Sequence, residues 1–489
     1  MTFRSSGRRI LSGLLLALVA GGAALHGARP SRPSKLPNIV LIVADDLGYG
    51  DLGCYGQTRI RTPHLDRLAA EGLRFTQAYA GNTVCAPSRC ALMTGRHTGH
   101  ARIRSNAQVP LEPDDITIAE VLRNAGYKSG AVGKWALGWE GTTGHPNAQG
   151  FTEFLGYLDQ VHAHDYYPAF LWRNALPFFP PGNQNGRRTE YAPAWLLKGA
   201  TNFVRLCEDR PFFLYFTPIL PHANNERGTN GMEVPDLGEY AREDWPAPEK
   251  AKAAMITYLD DMVGQVIADL RKRRLDDTTL VLFTSDNGPH QESGVQPQFF
   301  QSSGPLRGIK RDLYEGGIRV PLIAWWPGTI AAGTTNSRPV ALWDLLPTFA
   351  EVAGTTAPKG LDGASFAPLL FGRKLEREPK PFYWEFHERG YQKAARIGDW
   401  KAVQLATNQP IELYDLKSDP GEARNVAAEN PTVVRELTEY LTTAADPWTP
   451  PAEPKVQVAG RPGSPLPPNP ADRVEGLIRA TNAASYKRR

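Results

Sequence analysis

An α/β fold with a mostly parallel central sheet flanked by helices, joined to a smaller C-terminal α+β subdomain carrying a short antiparallel sheet, is the architecture this sequence predicts. Three observations carry it. PNIVLIVADD (37–46) and TTLVLFTSDNG (278–288) are short apolar runs that end in polar residues, as buried parallel strands do. Segments with apolar residues at helical spacing alternate with such runs, which argues for an open α/β sheet. Beyond about residue 375 the chain switches to short runs suited to antiparallel strands.

The chain opens with Arg4, Arg8 and Arg9 ahead of an apolar run from Ile10 to Leu25, followed by small residues. A basic n-region, an h-region and a small-residue cleavage site make residues 1–28 a signal peptide, so the protein is expected in the periplasm or outside the cell. Arg8-Arg9 leaves both the general and the twin-arginine export routes open. Formal net charge is +4 over 489 residues, and +1 once the three leader arginines are gone. So balanced a surface is a poor lure for nucleic acid. No later apolar run approaches the ~20 residues of a spanning helix, so no membrane span is expected after leader removal.

The catalytic domain is expected over 37–375. Within it, DDITIAEVLRNAGYKSGAVGKW reads as a helix starting near Asp114 or Asp115 and stopping at Gly126, then a strand. KAKAAMITYLDDMVGQVIADLRKRR, 250–274, reads as a long amphipathic helix with a basic last turn. The C-terminal subdomain, 376–445, holds candidate strands in KPFYWEFHE, KAARIGDWKAVQL and IELYDLKSDP, then a helix near 431–442. The tail, 446–489, is rich in proline and is expected to be extended or loose.

The polar ends of the two clearest strands supply the first chemistry. Asp45, Asp46, Asp286 and Asn287 offer only oxygen ligands, which suit calcium or magnesium rather than zinc. Either pair alone is more often a turn or a helix cap; two pairs at the strand ends of one sheet favour a metal site. Arg89, Lys134 and Lys310 lie in glycine-containing segments where backbone can approach a ligand closely, and His222 and His290 titrate near neutral pH. Together they suit metal-assisted attack on a tetrahedral oxyanion ester, phosphate or sulfate. The loop 156–174 gathers His162, His164, Asp165 and Tyr166 with further aromatics. That composition fits a sugar-binding wall and a packed insertion loop equally well. The four cysteines, Cys54, Cys85, Cys90 and Cys207, form at most one bridge if Cys85 is consumed by chemistry.

CAPSRCALMTGR (85–96) resembles the sulfatase signature, C-x-P-S-R followed by TGR. The resemblance extends in order through VLIVADDLGYGDLGCYG, AGYKSGAVGKWALG, LPH, FTSDNG and LRGIKRDLYEGGIRVP to the C-terminal ELYDLKSDPGEARNVA. It implies an alkaline-phosphatase-like fold. It also implies that a maturation enzyme oxidises Cys85 to formylglycine, whose hydrate attacks sulfur. By the same resemblance Asp45, Asp46, Asp286 and Asn287 are calcium ligands, and Arg89 supports the hydrate. Lys134 and Lys310 grip sulfate, and His222 protonates the leaving alcohol. One departure stands out: many sulfatases read GKWHLG where this chain reads GKWALG, with Ala136. The implied function is an exported sulfatase acting on a sulfate ester, foremost of a carbohydrate. The alternatives are a phosphonate or phosphate monoester hydrolase of the same superfamily and a catalytically silent glycan-binding relative.

Overall fold

The computed structural model describes residues 36–376, 380–449 and 458–469. The expected leader and most of the expected tail lie outside them. The main sheet is built from β1 (Asn38–Ala44), β2 (Leu73–Tyr79), β3 (Lys128–Lys134), β4 (Glu153–Tyr157), β5 (Leu171–Arg173), β6 (Leu176–Phe178), β7 (Phe212–Thr217), β8 (Thr279–Ser285), β9 (Arg319–Trp325), β10 (Thr334–Asn336) and β11 (Val340–Ala341). Its order is β10-β2-β9-β8-β1-β7-β3-β4-β5-β6, with β11 paired to β2. The segment β8-β1-β7-β3-β4 is parallel throughout, whereas β9 runs antiparallel to both β8 and β2.

Strand β1 shows why the sheet lies in the middle. Every residue of NIVLIVA is buried, and successive side chains point to opposite faces. Val40, Ile42 and Ala44 join one core cluster, with residues of α1 (Pro63–Ala70), α4 (Ala192–Leu206) and α5 (Ala247–Lys272). Ile39, Leu41 and Val43 join the other, with α2 (Cys85–Thr94), α3 (Ile118–Asn124) and the helix Leu345–Val352. Helices therefore cover both faces, as a continuous apolar strand demands. Helix α5 buries Met255, Ile256, Leu259, Met262, Val263 and Val266, an apolar stripe at helical spacing.

Helix α3 starts later than Asp114 or Asp115. Its N-cap is Thr117, whose hydroxyl accepts from the Glu120 N–H while the Glu120 carboxylate accepts from the Thr117 N–H. That reciprocal pair satisfies two amide donors that the helix start would leave orphaned. Asp115 instead accepts from the Glu112 N–H and pairs with Arg102. Gly126, at φ 86°, follows the helix in the left-handed conformation expected of a stop.

The C-terminal region forms the expected antiparallel sheet, β12 (Phe382–Phe386), β13 (Gln392–Ile397), β14 (Trp400–Gln404) and β15 (Glu412–Asp415), in that order. Phe382, Trp384 and Phe386 pack with Tyr79 and Trp343. Tyr383, Ala395, Ala402 and Leu413 pack with Leu437 and Leu441 of the helix Pro431–Thr443. Lys401 of β14 ties this sheet to the segment behind the candidate site. Its Nζ lies 3.0 Å from Glu315 and 2.8 Å from Glu422, all three side chains fully buried. Burial pushes the Glu422 carboxyl up to about 7 despite Lys401; Glu315, also buried, is held down to about 2 by Lys401 and Arg319. Among the described residues no helix is long and apolar enough to cross a membrane.

Removing Lys401 leaves two buried carboxylates facing each other. Lys401→Ala is expected to cost about 3–5 kcal/mol of stability, read by chemical denaturation; a loss below 1 kcal/mol would contradict this role.

Candidate active site

Chain direction in the sheet decides where chemistry collects. Strands β1, β7, β3 and β8 all point the same way, so Asp45-Asp46, Lys134 and Asp286-Asn287 arrive at one edge. The β1–β8 register, Ala44 opposite Ser285, sets the two acidic pairs side by side. The Asp46 N–H donates to Asp286 Oδ1 at 3.1 Å, and Asn287 Nδ2 donates to Asp46 Oδ1 at 2.7 Å.

Helix α2 brings its N-terminus to the same place. It begins at Cys85 itself, with Val84 as an extended N-cap, and every residue in it is buried. Pro87 lies in the first turn, where a missing N–H costs nothing. Ser88 accepts from the Gly81 N–H at 3.0 Å and donates to the Asp286 carbonyl at 2.5 Å, pinning the helix to the end of β8. The Cys85 thiol then lies 3.4 Å from Asp45 Oδ1 and 3.9 Å from Asp46 Oδ1.

Each buried carboxylate is met by its own cation. Lys134 Nζ is 2.7 Å from Asp45, Lys310 Nζ is 2.7 Å from Asp46, and Arg89 Nη2 is 2.8 Å from Asp286. Arg89 also approaches Asp45 at 3.6 Å and donates to the Lys134 carbonyl at 2.9 Å. Burial opposes ionisation of Asp45, yet Lys134 and Arg89 hold its carboxyl well below the usual range. Burial likewise opposes Asp46, which Lys310 holds low. Asp286 is the exception: burial, reinforced by Asp45 and Asp46 and only partly offset by Arg89, pushes it up to about 6. Burial raises the Cys85 thiol well above its ordinary value, so an unmodified Cys85 stays protonated near neutral pH.

Two observations fit a hard cation among these oxygens. Asn287 Oδ1 is buried without a hydrogen-bond partner, a costly state for an acceptor unless a cation takes it up. Three buried carboxylates, Asp45, Asp46 and Asp286, also stand together at the strand ends, a repulsion that added positive charge relieves. Asp45, Asp46, Cys85 and His222 also have ligand atoms within 4.8 Å of one another. A protonated thiol and a histidine already engaged with Lys310 make that set a poor thiolate-type centre.

His222 lies just beyond. Its Nδ1 donates to the Ala223 carbonyl at 2.6 Å, which leaves Nε2 to accept from Lys310 Nζ at 3.1 Å. Burial and Lys310 push its pKa well below 6.5. Glu292, which the sequence reading did not single out, holds Lys310 at 3.3 Å and Arg311 at 2.6 Å. His290 is buried behind, with Nε2 on the Pro221 carbonyl and Nδ1 accepting from the Glu292 N–H, both at 3.1 Å. With both ring nitrogens committed, it braces the loop.

His222 and Lys310 form the floor of a cavity of about 490 Å³. Of the four residues read as substrate-binding, His164 lines it, stacked on His222 with ring centroids 4.6 Å apart and hydrogen-bonded to Glu226 at 3.0 Å. The other three are not among the lining residues. Tyr166 is fully buried and donates to the Ile219 and His222 carbonyls at 2.8 and 2.5 Å, fixing the histidine loop. The His162 ring packs between Tyr157 and Phe170, and Asp165 pairs with Arg188. Arg311, Trp448 and Arg461, which the sequence reading passed over, complete much of the wall.

A family model described as Sulfatase matches residues 37–355, and one described as N-sulphoglucosamine sulphohydrolase, C-terminal, matches residues 309–446. The chain belongs to the sulfatase family. It is 37% identical to arylsulfatase A of Homo sapiens over 488 residues, covering 87% of this chain and 89% of that protein. It is 30% identical to the N-acetylgalactosamine-6-O-sulfatase of Bacteroides thetaiotaomicron, covering 87% of this chain and 98% of that one. Among solved structures, Ps i-CgsB in complex with k-i-k-neocarrahexaose superposes with a TM-score of 0.74 at 30% identity, over 84% of this chain and 93% of that chain. This sulfatase is accordingly a sulfuric ester hydrolase on the family's alkaline-phosphatase-like fold.

Because Asp286 titrates near 6, a cation bound at pH 5 must displace its proton. The rise in melting temperature on adding calcium is therefore expected to be larger at pH 7.5 than at pH 5. Asp286→Asn should abolish most of that difference; a rise independent of pH in the wild type would contradict this placement.

Proposed function

We propose that this sulfatase is exported, binds calcium through Asp45, Asp46, Asp286 and Asn287, and hydrolyses a sulfate ester of a carbohydrate with formylglycine made from Cys85 by a maturation enzyme. The observation that carries the proposal is the position of Cys85. It stands at the N-terminus of α2, where the helix dipole favours an anion, beside the acidic pair and the Lys134 and Lys310 cations. Formylglycine supplies a hydrated aldehyde, a nucleophile that can release sulfate by returning to the aldehyde, a route a thiol lacks. Calcium supplies positive charge against the sulfate oxygens and the nucleophile.

The rest is work for the chain's own side chains. Lys310 and His222 face the cavity floor, where an incoming sulfate meets an ammonium group first. Lys134 and Arg89 keep Asp45 ionised, and Arg89 braces Asp286 through Nε at 3.0 Å. A bound sulfate monoester offsets the charge of Lys310 and lets His222 Nε2 carry a proton for the departing alcohol. The carbohydrate assignment is supported by relatives whose names specify N-acetylgalactosamine and by the neocarrahexaose complex of the structural neighbour. A glycan-binding relative without catalysis would have no need of the full set Cys85, Lys134, His222 and Lys310, all of which are in place. The oxygen-only metal set counts against a zinc-type phosphatase.

Cys85→Ala, expressed with a maturation enzyme, is expected to abolish sulfate release while keeping the wild-type melting temperature; retained release would sink the nucleophile assignment. His222→Ala should slow hydrolysis of a sugar sulfate by about 10²–10⁴ and of an activated aryl sulfate far less, because a good leaving group needs no proton. Equal losses on both would show that His222 does not serve the leaving group. His222 must be protonated to act, and its pKa is lowered. With calcium saturating at every pH, the kcat/KM for a sugar sulfate should therefore fall as pH rises from 5 to 8, and a profile rising over that range would contradict the assignment.

A further inference from the structure

The cavity above His222 extends well past the sulfate-facing residues, and its outer wall comes from the far end of the chain. Trp448 follows the last helix, and its ring centroid lies 4.4 Å from that of His387. Arg461 belongs to the segment 458–469, part of the proline-rich tail expected to be extended or loose. Val458 there is 4% exposed, and Gly460 lies so close to the His162 ring that a Cβ would come within 2.3 Å of it. Arg461 pairs with Asp159, which takes Nε at 3.0 Å and Nη2 at 3.0 Å, while the Asp159 side chain is 4% exposed.

The arginines of this wall are paired. Arg311 meets Glu388 and the Glu292 it shares with Lys310, and Arg461 meets Asp159; the His164 and His387 rings hydrogen-bond to Glu226 and Glu385. A second anionic group on the substrate would find no uncompensated positive partner in the outer cavity and would meet Glu388 there. An uncharged ring suits the same wall: Trp448 offers an aromatic surface. Arg461 keeps Nη1 without a hydrogen-bond partner among the described residues, a donor for hydroxyl or ring oxygens whose charge Asp159 already balances.

We propose that the outer cavity is a subsite for an uncharged sugar ring adjoining the sulfated one, with Trp448 and Arg461 as its specificity-determining residues. The proposal rests on the reading of this site as a carbohydrate sulfatase. It separates neutral sulfated glycans from those alternating with uronic acids.

The test uses 6-O-sulfo-N-acetylgalactosamine as the free sugar, linked to galactose, and linked to glucuronic acid, with 4-nitrocatechol sulfate as a small reference substrate. The mature wild-type protein is expected to favour the galactose-linked form over both others in kcat/KM by about tenfold. Trp448→Ala and Arg461→Ala should erase that preference when rates are expressed relative to 4-nitrocatechol sulfate in the same preparation, which removes any loss of folded protein. Trp448→Phe should retain it. Wild-type protein that cleaves 4-nitrocatechol sulfate but gains nothing from the galactose linkage, or prefers glucuronate, overturns the subsite. Protein that releases sulfate from none of the four substrates overturns the carbohydrate-sulfatase reading, and the subsite with it.

Discussion

Three carboxylates buried together at the ends of β1 and β8 are the constraint on which the rest of this molecule depends. Asp45, Asp46 and Asp286 are fully buried, and without countercharge such a cluster would not ionise. The chain answers with one cation from each of three distant segments: Arg89 from α2, Lys134 from the end of β3, Lys310 from the loop after β8. The cations are therefore structural first. They hold helix, sheet and loop at a common point, and that point is where an anionic ester must enter. Losing any one of them leaves a buried charge uncompensated, so assembly of the site and stability of the sheet edge are coupled.

The same logic spreads outward in layers. Glu292 positions Lys310 and Arg311, and the segment that follows them carries Glu315, tied by Lys401 to the second sheet. The C-terminal sheet is thus a buttress for the Lys310 loop as well as a support for His387 and Glu388 in the cavity wall. Ala136 fits this division of labour. It adopts φ 65° and sits with Arg461 around a small side cavity, so the position that departs from the resembled GKWHLG segment is here bordered by the tail.

How much of this was legible depended on whether the signal was local. The β1 and β8 strands could be read because seven-residue apolar runs ending in acids have few other uses, and α5 because its apolar stripe repeats at helical spacing. The cluster at the strand ends followed from the parallel direction alone. His162 and Tyr166 were another matter: their loop composition is that of a sugar-binding wall, yet burial turns one ring against Phe170 and the other hydroxyl onto backbone carbonyls. Composition does not tell which side of a loop a ring faces. The Thr117 cap was overlooked because nearby aspartates carry the same preference. Arg461 was beyond reach, since its partner Asp159 lies 302 residues away in a stretch whose proline content argues for looseness.

Everything chemical converges on residue 85, whose thiol is too deeply buried to ionise and too well placed to be incidental. The most direct measurement is mass spectrometry of the tryptic peptide Phe75–Arg89 from protein made alongside a maturation enzyme. The account predicts a peptide lighter than the encoded one by the difference between CH2SH and CHO, located at residue 85. An intact cysteine in protein that releases sulfate would contradict it.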